Sequence, residues 1–109
     1  MPYSESLASR VRQLASCNRG IVERKMFGGI GFLLHGNMLV GVWYTSLIAP
    51  VGPTEAQTVL KEPYVMEFDL TGRPMKGWVL VQPDGLETDE QLGQWIQRAV
   101  DFVETLPRK

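Results

Sequence analysis

The sequence has one cysteine and one histidine among its 109 residues. A single cysteine cannot form an internal disulfide, and a structural zinc site needs several Cys and His ligands, so both kinds of scaffold are excluded. The same scarcity argues against an enzyme built on histidine or thiolate clusters. We therefore expect no catalytic residue, no metal and no cofactor, and the cysteine usage fits a reducing, cytoplasmic location.

The chain also lacks a long apolar run and a large net charge. Its longest apolar stretch, Met38–Tyr44, is far shorter than a membrane span, and the N-terminus lacks the pattern of a secretory signal. The net charge is −1, without the basic excess expected of a direct nucleic-acid binder. Residues 1–54 carry five basic against two acidic residues, whereas 55–109 carry six against ten. This asymmetry is compatible with two faces of opposite charge, which suit contacts with a protein or self-association, and charges scattered over the surface are the alternative. From the net charge and the missing apolar span we expect neither direct nucleic-acid binding nor a membrane partner.

Length and composition predict a single domain over residues 1–109, with 44% hydrophobic and 21% charged residues. Three stretches carry helical periodicity or start signals. Thr54 with Gln57 and Thr88 with Gln91 match capping boxes, in which side chains satisfy the free amides of the first turn. The predicted helices are Ser4–Cys17, Thr54–Lys61 and a long helix from Thr88 to a stop at Pro107.

The remaining segments are rich in β-branched and aromatic residues and are joined by short turns, which requires antiparallel neighbours. Pro50 predicts that its strand lies at an edge of the sheet or ends early. Together the elements predict an α+β, two-layer sandwich in which helices cover an antiparallel sheet of about five to six strands. The predicted strands are Ile21–Phe27, Ile30–Leu34, Asn37–Tyr44, Leu47–Val51, Tyr64–Phe68 and Gly77–Gln82.

Glycines lie at several ends of these predicted strands, and we interpret them as residues that shape the fold and do not bind a ligand. A phosphate-binding loop leads into a helix, whereas the run Gly28-Gly29-Ile30-Gly31 leads into a strand. It predicts a bend where a neighbouring strand or helix approaches closely, and His35-Gly36 predicts a tight turn. The aromatic residues are interpreted as core because a basic nucleic-acid-binding signature is missing: Trp43, Tyr44, Tyr64, Phe68, Trp78 and Trp95.

The segment Thr71–Gly77 is the most informative stretch. It places Arg73 and Lys76 in a loop, predicted over Asp69–Lys76, that Gly72 opens and Pro74 stiffens. Cations on such loops bind carboxylates or phosphates, Arg73 with two hydrogen bonds and Lys76 as a point charge. A solvated turn with no binding role is the alternative, and the sequence leaves it open.

Two runs together resemble a known family: Lys25-Met26-Phe27-Gly28-Gly29-Ile30-Gly31-Phe32, and Thr71 to Gly77 (TGRPMKG). They are similar to the N-terminal domain of the TfoX/Sxy family of bacterial competence regulators. The resemblance extends over nearly the whole chain and implies a curved antiparallel sheet. In the full regulators this domain precedes a C-terminal domain, and the protein promotes transcription of competence genes together with a cyclic-AMP receptor protein.

The resemblance implies a stand-alone regulatory or protein-interaction module whose partner belongs to the transcription machinery. Lys25, Arg73 and Lys76 match the family's pattern and form the candidate anion- or partner-binding set. The alternative is a binder of small anionic molecules, or a minor enzyme, that uses Arg73 and Lys76. A homodimer through Met38–Tyr44 or through an edge near Leu47–Val51 also stays open.

Overall fold

The computed structural model describes residues 4–16, 20–26, 29–69 and 74–107. Within them, three α-helices and six strands follow one another in the order that the sequence predicted: a helix, four strands, a short helix, two strands and a long helix. The helices are α1 (Glu5–Ala15), α2 (Pro53–Val59) and α3 (Asp89–Val103). The strands are β1 (Ile21–Met26), β2 (Gly29–Leu34), β3 (Asn37–Trp43), β4 (Ser46–Pro50), β5 (Val65–Asp69) and β6 (Pro74–Val81).

The strands form one antiparallel sheet in the order β1-β2-β3-β4-β6-β5. The first four strands follow one another as hairpins, and β6 then pairs with β4, which leaves β5 outside it. The sheet is curved and does not close on itself, so β1 and β5 are its two edges. This confirms the α+β class and the antiparallel sheet that the sequence predicted.

The main core lies between the helices and one face of the sheet. Alternation along the strands places Phe32 of β2, Val40 of β3 and Val79 of β6 on this face, which we call the helix face. The helices contribute apolar residues at helical spacing, including Val11 of α1 and Leu92 of α3. All five side chains are less than 2% exposed, so each transfers almost its whole apolar surface out of water.

Both long helices begin where the sequence predicted. The hydroxyl of Ser4 accepts a hydrogen bond from the amide of Leu7 at 3.1 Å and caps α1. At α3, the Thr88 hydroxyl accepts from the amide of Gln91, and the Gln91 side chain accepts from the amide of Thr88. This confirms the second capping box, which satisfies two amides that the helix itself leaves free.

Of the two alternatives predicted for Pro50, the edge strand is wrong and the early end is confirmed, since β4 ends at Pro50 and not at Val51. Strand β4 lies inside the sheet, between β3 and β6, so an edge near Leu47–Val51 is not available to a second copy. The amide of Val51 donates to the carbonyl of Gly77 on β6, so the nitrogen of Pro50 points away from β6. The nitrogen of Pro50 faces the β3 side of β4. The pairing of β4 with β3 has ended at Ile48, so Pro50 removes no hydrogen bond from the sheet.

The predicted first capping box is also wrong. Helix α2 begins one residue earlier, at Pro53, and its N-cap is Gly52, which makes no side-chain cap. Proline suits the first position because its fixed φ is helical and that amide would be free in any case. The predicted loop Asp69–Lys76 is shorter, since Asp69 belongs to β5 and Pro74 already opens β6.

Candidate interaction surface

The structure places the predicted cations in different parts of the sheet. Lys25 lies on the edge strand β1 and is exposed, and Lys76 belongs to β6. Three strands separate β1 from β6, which corresponds to about 19 Å along the sheet at ~4.8 Å per strand. Arg73 lies outside the described residues, as do Gly28 and Gly72.

The described glycines of the two motifs occupy crowded or strained positions. A Cβ on Gly29 would collide with the carbonyl oxygen of Val42 on the neighbouring strand, β3. Gly31 faces Gly41 directly across the β2–β3 ladder. Gly36 has φ of +85° in the turn after His35, and Pro74 opens β6 opposite Asp69.

The edge strand β1 is the most solvent-exposed strand for which side chains are described. Every side chain from Val22 to Lys25 is exposed, and Val22 retains 55% of its accessible surface. Strand β2 pairs with one side of β1, and no strand among the described segments pairs with the other. An edge of this kind presents amides and carbonyls that an additional strand can pair with.

The register of β1 assigns its side chains to two faces. Glu23 and Lys25 stand opposite Phe32 and Ile30 and lie on the helix face. Val22 and Arg24 stand opposite Leu33 and Gly31 and lie on the other face, which carries no helix and which we call the open face.

Glu23 is held by an arginine of α1. The Nε and Nη2 atoms of Arg12 donate to its two carboxylate oxygens at 2.6 and 2.7 Å. This two-point hydrogen bond is the main cause that lowers the pKa of Glu23 below its ordinary value, and the charge of Arg12 adds to it while partial burial opposes it. Neither Arg24 nor Lys25 has an ion pair with another described residue, so β1 presents two free positive charges.

A cleft of about 250 Å³ lies beside β1 on the helix face. The end of α1 forms one wall and the start of β1 forms the other, with the Arg12–Glu23 pair between them. Its volume is ample for one aliphatic or aromatic side chain. The lining residues are Arg12, Ala15, Ser16, Gly20, Ile21, Glu23 and Phe32.

A second cleft, of about 240 Å³, lies between the β2–β3 turn and the residues after α3. His35 belongs to this turn with φ of +52°, as the sequence predicted. The side-chain amide of Asn37, the buried polar residue of the described core, donates to the carbonyl of Pro107 at 2.9 Å. This hydrogen bond holds the segment after α3 against the start of β3.

Aromatic residues cover part of the open face. Trp43 packs edge-on against Tyr44 and Phe68, and Phe68 also contacts Trp78. Phe68 and Trp95 are buried, as predicted, but Tyr44 and Tyr64 are 58% and 47% exposed and are not core residues. A cavity bordered by Met38 and Trp43 has a volume of about 10 Å³, room for about one water molecule.

The described residues contain no group of three His, Cys, Asp or Glu side chains that could hold a metal ion. Within the same residues, no helix is both long and apolar enough to cross a membrane.

An open, curved sheet with three helices on one face and a cationic free edge defines this chain as a small α+β domain. The sequence model described as the TfoX N-terminal domain matches residues 12–103, so the chain belongs to that family. No curated protein and no solved structure matches the chain.

Arg24 is the surface cation that the candidate set omitted. The signal was present in the sequence, because Glu23, Arg24 and Lys25 follow one another within a predicted strand. Three consecutive charges leave charge on both faces of a strand, which is typical of a sheet edge.

Proposed function

We propose that this chain is a non-enzymatic, cytoplasmic regulatory module that acts by binding another protein. The observation that carries the proposal is the edge of β1, which no described strand covers, with two cations that form no ion pair with a described residue and with a neighbouring cleft. Family membership supports it, since the resemblance implies a role in regulation and a partner in the transcription machinery. Lys25, Arg73 and Lys76 are proposed to contribute to partner binding.

The test is affinity capture from a native bacterial lysate, read by mass spectrometry. Wild-type protein is compared with the triple variant Lys25→Ala, Arg73→Ala, Lys76→Ala. Lys61→Ala is the matched control, since Lys61 is an exposed cation next to α2. We expect a partner that wild type and the control capture and the triple variant loses, at an unchanged melting temperature.

Three results would count against the proposal or the part of it that concerns the cations. Recovery of no specific protein by wild type would contradict the interaction role itself. Equal recovery of the partner by the triple variant would show that the three cations are not part of the binding surface. A fall in melting temperature confined to the triple variant would assign them a structural role instead.

A further inference from the structure

We propose that β1 binds an extended, acidic segment of a partner protein, which adds to the sheet as a seventh strand. The inference rests on the proposed function, because it names the surface and the chemistry of the partner. Strand addition uses main-chain hydrogen bonds for affinity and alternate side chains for specificity. The edge of β1 offers the main-chain hydrogen bonds, and the charges of β1 and the neighbouring cleft provide the specificity.

The charges of β1 select the composition of the segment. Lys25 lies on the helix face and Arg24 on the open face, and neither is paired with a described residue. Residues of an added strand stand directly opposite those of β1 and share their faces. Two adjacent carboxylates in the segment would therefore reach Lys25 on one face and Arg24 on the other. Glu23 does not oppose them, since Arg12 already neutralises it.

Val22 and the apolar part of the cleft wall, which Ala15, Ile21 and Phe32 form, select apolar residues at the other end of the segment. The cleft lies on the helix face beside Ile21, so a residue opposite Ile21 is placed to insert its side chain there. A residue opposite Val22 covers an apolar side chain that is 55% exposed. The structure thus assigns to the partner an acidic pair and an apolar pair, separated by the one residue opposite Glu23.

A second copy of this chain fits the edge poorly. Two β1 strands related by a twofold axis must pair residues that lie on the same face. The two registers that pair most of β1 are centred on Glu23 or on Arg24. The first leaves both cations opposite apolar residues, because Arg24 stands opposite Val22 and Lys25 opposite Ile21. The second opposes two guanidinium groups, which destabilises a ladder, and places Lys25 opposite a Glu23 that Arg12 already holds. The edge therefore disfavours self-pairing and favours an acidic strand.

The test uses the peptide fluorescein-Ser-Asp-Glu-Thr-Val-Leu-Ser-amide, labelled on its N-terminal amine, and its reversed sequence, which cover antiparallel and parallel addition. Fluorescence anisotropy measures binding to the full chain. We expect one of the two to bind, and the double variant Arg24→Glu, Lys25→Glu to lower its affinity about tenfold, from two exposed charge pairs. Lys61→Glu is the matched control and should leave affinity unchanged. The peptide with Asn and Gln in place of Asp and Glu should bind more weakly.

Main-chain methylation tests the strand pairing itself. Alternate amides of an added strand point to β1, so N-methyl groups at one set of alternate residues should abolish binding. The same number at the other set should leave binding within about threefold, since those amides point to solvent. Hydrogen exchange should show added protection in β1 and none in β5.

Several outcomes would overturn the inference. They are no binding by either peptide, equal effects of the two methylation patterns, protection at β5 alone, and displacement by a single-stranded oligonucleotide of similar length. The failures of the two proposals are distinguishable. If lysate capture succeeds and Arg24→Glu, Lys25→Glu captures the same partner equally, the edge inference fails and the interaction role stands. If wild type captures no partner, the interaction role fails whatever the peptides do.

Discussion

Replacing Gly77 with alanine should destabilise the domain by about 2 kcal/mol. Gly77 has φ of +83°, and a non-glycine residue in this region costs about 1–2 kcal/mol. Its new Cβ would also lie 3.2 Å from the carbonyl carbon of Gly52 and 3.2 Å from the nitrogen of Pro53. Both are backbone atoms at the start of α2, so they cannot rotate away. The contact adds to the conformational cost, while the stiffer unfolded chain offsets about 0.4–1 kcal/mol of it.

The neighbourhood of Gly77 makes this cost hard to relieve. Its carbonyl accepts hydrogen bonds from the amides of Val51 at 2.8 Å and Gly52 at 3.1 Å. A shift of Gly77 away from α2 would lengthen both bonds, and these bonds join β4 and the start of α2 to β6. For a domain whose total stability is on the order of 5–15 kcal/mol, a loss of about 2 kcal/mol is large. It corresponds to a fall in Tm of about 10 °C.

Gly93→Ala is the matched control, because it makes the same chemical change inside α3. A Cβ at Gly93 has no atom within 4 Å, and alanine is favoured over glycine in a helix by about 1 kcal/mol. We expect Gly93→Ala to raise the midpoint of urea unfolding and Gly77→Ala to lower it, with equal m-values. Wild-type stability of Gly77→Ala, or shifts of the same sign in both variants, would refute the reasoning.

Two further predictions concern pairs on the surface. Glu23→Gln should lower the free energy of unfolding at pH 7 by about 0.5–1 kcal/mol. Because the folded pKa of Glu23 is lowered, the carboxylate stabilises the fold above its ordinary pKa of 4.5. That contribution is lost as the pH falls through the pKa that Glu23 has in the folded protein. The difference in unfolding free energy between wild type and Glu23→Gln, measured with urea, should therefore be smaller at pH 3 than at pH 7. A difference that is the same at both pH values would contradict the prediction. Thr88→Ala should cost about 1 kcal/mol through loss of the α3 cap, and Thr88→Ser should restore most of it. Equal midpoints for Thr88→Ala and Thr88→Ser would show that the hydroxyl does not act as a cap.

The elements that the sequence predicted well are those set by local chemistry. The α3 cap depends on Thr88 and Gln91, which are three residues apart, and the turn at His35 depends on neighbours that accept positive φ. Short turns likewise made the first four strands antiparallel neighbours. Each of these features is fixed within a few residues of chain, so a local pattern is enough to predict it.

The errors concern order in the sheet, which no local pattern contains. Pro50 is tolerated in an interior strand because its nitrogen faces the side of β4 on which the pairing with β3 has ended. The interior position of β4 depends on its pairing with β6, and 23 residues of chain separate these two strands. The candidate site had the same difficulty. Lys25 and Lys76 match one family pattern, but they lie on strands that three others separate. Three consecutive charges at Glu23, Arg24 and Lys25 are typical of an edge strand, but the order of the sheet was needed to show that β1 is one.

The positions of the two family motifs suggest what those motifs encode. Gly29 faces a carbonyl of β3, and Gly77 faces the backbone at the start of α2 with a positive φ. The fold requires glycine at both positions, and a glycine offers no side chain for binding. These motif glycines therefore specify the fold and not a binding site. Exposed side chains such as Arg24 and Val22 face no such constraint and can be changed without cost to the core. Differences in partner among domains of this fold should therefore lie at the β1 edge. Exchanging residues 22, 24 and 25 between two family members, with Glu23 kept for its pair with Arg12, should transfer peptide preference while leaving Tm nearly unchanged. A swap that moved Tm by many degrees without moving the preference would assign the edge to stability.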